Sequence, residues 1–156
     1  GKYNTKVFNI HSQNSTRPFA LDCSKYVPMI YVENVEEAPS EEELSKYGGI
    51  CIDFSHWEDN VLRKNPAYSD FLNKVKKFKI GCSHISAVKK EARPDEDPTL
   101  KGQMTYVDHI FKDLNEFYYI NKYIDYLPDL ISIELENPLK EQIKVREYLE
   151  KLININ

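Results

Sequence analysis

The stretch Ile131-Ser132-Ile133-Glu134-Leu135-Glu136-Asn137-Pro138 places two carboxylates inside a run that otherwise has the make-up of a buried strand. Alternation along a strand sends Ile131, Ile133 and Leu135 to one face and Ser132, Glu134 and Glu136 to the other. Such an acidic row has to meet a metal, an arginine or water, because an unpaired buried carboxylate is costly or gives up its charge. Asn137 and Pro138 supply the cap and first residue of a helix, in which Leu139, Ile143, Tyr148, Leu149 and Leu152 recur at roughly helical spacing. The unit is strand, short turn, helix.

Working outward, the same unit recurs. Residues 6–11 predict a strand with Val7, Asn9 and His11 on one face, followed by a polar loop at 12–15 and a short helix over 16–26. Residues 29–34 predict a strand ending in Glu33, and Ser40 to Glu43 form a capping box that opens a helix to Tyr47, stopped by Gly48-Gly49. Residues 50–53 end in Asp53, with a helix later over 67–78, and residues 79–84 end in His84. The charged, proline-bearing run 89–102 reads as loop, and 115–126 as an aromatic-rich helix broken at Leu127-Pro128. Repeated strand–helix alternation implies parallel strands, and a metal-type residue at each strand's C-terminal end is the placement of a (β/α) barrel. The fold class expected is α/β, a partial (β/α) TIM-type barrel corresponding to roughly the fourth to eighth strand–helix units.

The 156 residues suffice for one domain with a core, so 1–156 reads as a single domain. A net charge of −4 gives no general electrostatic grip on nucleic acid. The basic cluster Lys74 to Lys79 fits a helix C-terminus better than a phosphate track. Three cysteines, Cys23, Cys51 and Cys82, without a Cys-x-x-Cys pair argue against a disulfide framework and a thiolate zinc site, and Cys51 and Cys82 read as small core residues. A reducing, cytoplasmic setting fits this usage. No apolar run approaches the roughly 20 residues that span a bilayer, and residues 1–5 lack a signal-peptide core.

All four histidines, His11, His56, His84 and His109, fall at strand ends or just beyond, alongside Glu33, Asp53, Asp108 and Glu136. A mixed imidazole and carboxylate set suits a divalent ion such as Zn²⁺, Mn²⁺, Co²⁺, Fe²⁺ or Mg²⁺. Glu134, two residues before Glu136 on the same face, is expected one layer deeper, bonded to neighbours.

In order, Tyr31-Val32-Glu33-Asn34, Cys51-Ile52-Asp53-Phe54-Ser55-His56, Ser83-His84 and Leu135-Glu136-Asn137-Pro138 resemble the metal-binding strand ends of the xylose isomerase-like TIM-barrel superfamily. That superfamily includes sugar-phosphate isomerases and epimerases and the apurinic endonucleases of the endonuclease IV type. The resemblance implies Glu33, Asp53, His84 and Glu136 as the shared four-ligand site, with His56 and His11 as further ligands in the multi-metal members. Asp108 and His109 resemble the acid and histidine after the next-to-last strand, although they are adjacent where the endonuclease pattern separates them by one residue. Only later barrel strands are matched, so the chain looks like a C-terminal portion of a longer barrel that completes itself as a homo-oligomer or with a missing half.

The function implied is a metal-dependent isomerase or epimerase of a small sugar or sugar phosphate, with Glu33 and Glu136 as the acid and base pair. The alternatives are metal-dependent hydrolysis of abasic-site DNA, which needs more cations and a basic surface, and a non-catalytic scaffold or binding module.

Overall fold

A computed structural model describes residues 5–12, 22–95 and 102–154. In chain order these form β1 (Phe8–His11), β2 (Ile30–Glu33), α1 (Glu41–Lys46), β3 (Gly49–Asp53), α2 (Phe54–Leu62), α3 (Phe71–Lys77), β4 (Ile80–Ile85), β5 (Ala87–Pro94), β6 (Met104–Asp108), β7 (Ile131–Ile133) and α4 (Leu139–Asn154), with 3₁₀ turns between them. One sheet has the order β1-β2-β3-β4-β7, every neighbouring pair parallel, and β5 and β6 form a separate antiparallel pair. The ladder sets His11 opposite Glu33, Glu33 opposite Cys51, Asp53 opposite His84, and His84 opposite Ser132.

Local chemistry sets the turns. Ser40 accepts a hydrogen bond from the Glu43 amide, three glutamates occupy the first turn of α1 and Lys46 the last, each charge matched to its end of the helix dipole. Gly49 follows with φ +136°, where a Cβ would lie 2.1 Å from the Lys79 carbonyl oxygen, so only glycine lets β3 start there. Asp53 is at once the last residue of β3 and the N-cap of α2, its Oδ1 accepting from the His56 amide at 2.9 Å. Strand end and helix start are thus one residue.

The two faces of the parallel sheet differ. Val32, Ile50, Ile52 and Ile85 are fully buried in the main core with Phe54, Trp57 and Phe71 from the helices and Phe117 and Ile120 from a 3₁₀ run. The opposite face has a smaller layer of Tyr31, Cys51 and Cys82 with Val7 packed against it. Gly81 makes room for that layer, since a Cβ there would sit 2.1 Å from Cε1 of the Tyr31 ring. Level with Tyr31 the same face carries Asn9, and one residue pair further toward the strand C-termini it carries His11, Glu33, Asp53, His84 and Glu134.

The expected partial TIM-type barrel is corrected: the chain builds an open, curled five-stranded parallel sheet with a small antiparallel sheet, not the fourth to eighth units of a (β/α) barrel. The departure begins after β4, where the run 89–102, expected as loop, contributes to the β5–β6 hairpin, with Ala87 opposite Asp108 and Arg93 opposite Thr105. A buried acid fixes it. Asp59 of α2 accepts from the Tyr106 amide at 2.7 Å and the Thr105 hydroxyl at 3.3 Å, and pairs with Arg63 at 2.9 Å, so the space beside α2 is taken by a hairpin where a barrel would place a crossover helix.

The expected helix 115–126 is instead two 3₁₀ runs, Leu114–Lys122 and Ile124–Tyr126. Its buried residues are Phe117, Tyr119, Ile120 and Tyr123, whose spacings of three and four do not separate a 3₁₀ turn from an α-helix. α2, Phe54–Leu62, follows the strand directly, where no helix was expected. The run expected as a strand to Glu136 pairs only over Ile131–Ile133. Residues 1–4, 13–15, 16–21 of the expected 16–26 helix and 96–101 of the expected loop lie outside the described residues, and Ser24–Met29 is a 3₁₀ turn. Among the described residues no helix is long and apolar enough to cross a membrane.

Candidate metal centre

Four strands deliver the group. In a flat sheet, strands about 4.8 Å apart put β2 and β7 roughly 14 Å from one another, since β3 and β4 lie between them. Yet one ligand atom each from Glu33, Asp53, His84 and Glu134 lies within 4.8 Å of every other. The curl of the sheet turns the inner-face side chains toward a common point, and their long carboxylate arms cover the rest.

His84 is the hub. Its Nδ1 lies 2.9 Å from Glu33 Oε1 and 3.0 Å from Glu134 Oε1, so one imidazole N–H is shared between carboxylates of β2 and of the residue just past β7. Burial alone would lower the pKa of this histidine; the hydrogen bonds and charges of Glu134 and Glu33 outweigh it and push the value up to about 10. The reciprocal hydrogen bond holds the Glu134 carboxyl below the usual range against the opposing effect of burial. Glu33 is fixed from the other side, its Oε2 accepting from Asn9 Nδ2 at 2.6 Å, with His11 Nε2 3.8 Å away.

Asp53 completes the set by a different device. Asn34, fully buried, donates to the Asp53 carbonyl at 2.9 Å and accepts from the Asp53 amide at 3.0 Å, which carries the β2–β3 pairing one residue beyond the ladder. Asp53 Oδ1 takes the Ser55 hydroxyl and the His56 amide, while Oδ2 is buried with no hydrogen-bonding partner among the described residues. Burial pushes the Asp53 carboxyl pKa up, in opposition to His56 and these hydrogen bonds.

The donor set fits a divalent cation. Three carboxylates surround one imidazole, no lysine or arginine ion pair reaches them among the described residues, and Asp53 Oδ2 is buried without a hydrogen-bond partner. Oxygen and imidazole donors of this mixture suit Zn²⁺, Mn²⁺, Co²⁺ or Mg²⁺. Glu33, Asp53, His84 and Glu134 are the residues that would hold the ion.

Of the residues singled out in the sequence, Glu33, Asp53 and His84 meet as expected, and His11 lies at the rim. Glu136 does not join them: it is exposed, and its amide donates to the His109 carbonyl. Glu134 takes that place. The ladder holds the signal for it, because β7 pairs Ser132 with His84 and the next residue on that face is Glu134. His56 falls in a separate group with Glu36 and Asp59, but Arg63 pairs with both acids and supplies the positive charge there. Asp108 pairs with Lys89 and Arg93, and His109 Nδ1 bonds to the Ser86 hydroxyl and the Glu134 carbonyl. Asn137, expected to cap α4, instead bonds both the amide and the carbonyl of Phe111, as Asn34 does with Asp53.

A cavity of about 470 Å³ lies at the opposite end of the strands, lined by Lys6, Val7, Tyr31, Lys79, Gly81 and Leu130 among others, and it carries no ligand set. Comparison with protein-family models, with curated proteins and with solved structures gives no match to this chain.

Two outcomes follow from the geometry. Replacing His84 by Ala removes the shared donor, so zinc or manganese retained after reconstitution and desalting should fall to near background; content equal to wild type would take His84 out of the site. In the metal-free protein, His84 is raised above its unfolded value, so its contribution to stability is complete below about pH 6.5 and is lost as pH rises to about 10. The urea midpoint of wild type relative to His84→Gln should therefore shrink between those pH values. A constant or growing difference contradicts the pairing.

Proposed function

We propose that the chain is a divalent-metal-dependent isomerase or epimerase acting on a small sugar or sugar phosphate by proton transfer next to a carbonyl. The observation that carries this reading is the single four-donor group with carboxylates of unequal exposure. The Glu134 side chain is 36% exposed and that of Glu33 is 4% exposed. Glu134 is thus the carboxylate that a substrate can reach, and its ionised form is favoured by His84, so it is the group to take a proton from carbon. Glu33, held by Asn9 and His84, stays a ligand and charge partner. An ion at this point would polarise adjacent hydroxyl and carbonyl oxygens and stabilise the enediolate. The likeness of the Glu33, Asp53 and His84 strand ends, though not that of Glu136, to isomerases and epimerases of the xylose isomerase-like superfamily supports the same choice.

Hydrolysis of abasic-site DNA is the second reading, and the group Glu36–His56–Asp59 favours it as a place for another ion. Arg63 already neutralises that group, Lys89 and Arg93 neutralise Asp108, and the net charge of −4 works against a duplex. Incubating the metal-loaded protein with a panel of sugar phosphates in D₂O should bring deuterium into the carbon next to the carbonyl, and Glu134→Gln should reduce exchange about 100-fold or more. No exchange with metal-dependent nicking of an abasic duplex would establish the nuclease. Failure to retain any divalent ion after reconstitution would leave a scaffold.

We also infer self-association through sheet edges. β1 and β7 are both edge strands with largely exposed residues, Phe8 and Ile131 among them, and unpaired strand edges recruit further strands. Light scattering should give at least a dimer mass at micromolar concentration; a monomer throughout that range counts against it.

A further inference from the structure

Three features stand outside the reading above. The cavity at the other end of the strands has only exposed charged residues in its lining, Lys6, Lys79 and Asp129, and Glu36–His56–Asp59 is compensated by Arg63. The third is a thiol. Cys51 Sγ lies within 4.8 Å of ligand atoms of both Glu33 and His84, while those two atoms keep the same limit to each other. All three residues are buried, Glu33 3%, Cys51 0% and His84 7% exposed.

Cys51 precedes Asp53 by two residues on β3, so it shares the inner face and lies one layer deeper. Glu33 and His84 therefore belong to two overlapping donor sets. The upper set adds the oxygens of Asp53 and Glu134, and the lower adds sulfur. Hard ions prefer the first and thiophilic ions the second. Zinc bonds of about 2.3 Å to sulfur and 2.0–2.1 Å to nitrogen put tetrahedral donors about 3.5 Å apart, so from separations of at most 4.8 Å the lower set has to contract by no more than about 1.3 Å. Cys82, the ladder partner of Cys51, packs beside it in the same layer.

We propose that Cys51, with Glu33 and His84, forms a second, thiolate-containing position for a thiophilic divalent ion such as Zn²⁺, Co²⁺ or Cd²⁺, directly beneath the carboxylate-rich one. As the sulfur–metal bond forms, the thiol proton leaves to solvent and no oxidation state changes. The ion then has two coordination modes that share two ligands, and the metal's softness selects between them. This rests on the reading that Glu33 and His84 hold a divalent ion.

Cobalt(II) titration of the metal-free chain tests it. Wild type should develop a sulfur-to-cobalt charge-transfer band in the near ultraviolet, Cys51→Ser should bind cobalt without the band, and Cys82→Ser should keep it. The preference for Cd²⁺ over Mn²⁺ should fall at least about tenfold in Cys51→Ser. X-ray absorption of zinc-loaded wild type reads the same point without any substitution, as a sulfur shell at about 2.3 Å. Stoichiometric metal with no band and a shell of oxygen and nitrogen alone overturns the thiolate position and leaves the metal centre standing, as does a band that survives Cys51→Ser. Absence of bound metal overturns both.

Discussion

The sharing of one imidazole N–H between Glu33 and Glu134 is the interaction on which the inner face depends, because it joins carboxylates that come from opposite sides of β4. Like charges brought within a few ångströms in a buried place repel strongly. A positive histidine between two of them offsets that repulsion, and with Asp53 alongside, the group still has more acid than base. The site is therefore held in a condition that welcomes a further positive charge. The curl of the sheet and this charge arrangement depend on each other, since straightening the sheet would part the carboxylates from the histidine.

Two asparagines bridge backbone that no ladder joins. Asn34 reaches the amide and carbonyl of Asp53, one residue past the β2–β3 ladder, and Asn137 reaches those of Phe111, past two strands that do not pair with each other. Each uses a side-chain amide, which carries a donor and an acceptor in the same plane. In the first case the result is the placement of a ligand. In the second it anchors the segment carrying Glu134–Glu136 to the loop after β6, and the same side-chain amide donates to Glu141 in the first turn of α4.

The parallel strands and three of the four donors were legible in the sequence, because Glu33, Asp53 and His84 each close an apolar run and strand periodicity puts them on one face. What was not legible came from contacts far apart in the chain. The hairpin at Ala87–Asp108 depends on Asp59 of α2 accepting from Thr105 and Tyr106, and nothing within 87–108 alone announces that partner. The 3₁₀ character of Leu114–Lys122 was not legible, because Phe117, Tyr119, Ile120 and Tyr123 are spaced as they would be on an α-helix. Glu134 and Glu136 share a face, so alternation could not choose between them; the register of β7 against β4 did.

That register rests on three paired residues at the margin of the sheet. Glu134 meets Glu33 only after a hundred intervening residues have closed into place, so the loop-closure entropy of the whole chain is spent before the constellation exists. A short outer strand also has few hydrogen bonds to break, and such strands open locally at a free energy well below that of global unfolding. Detachment of β7 withdraws one carboxylate and half of the imidazole's hydrogen bonding while β2, β3 and β4 keep their core. The four side chains would on this account come apart at a lower free energy than the fold itself.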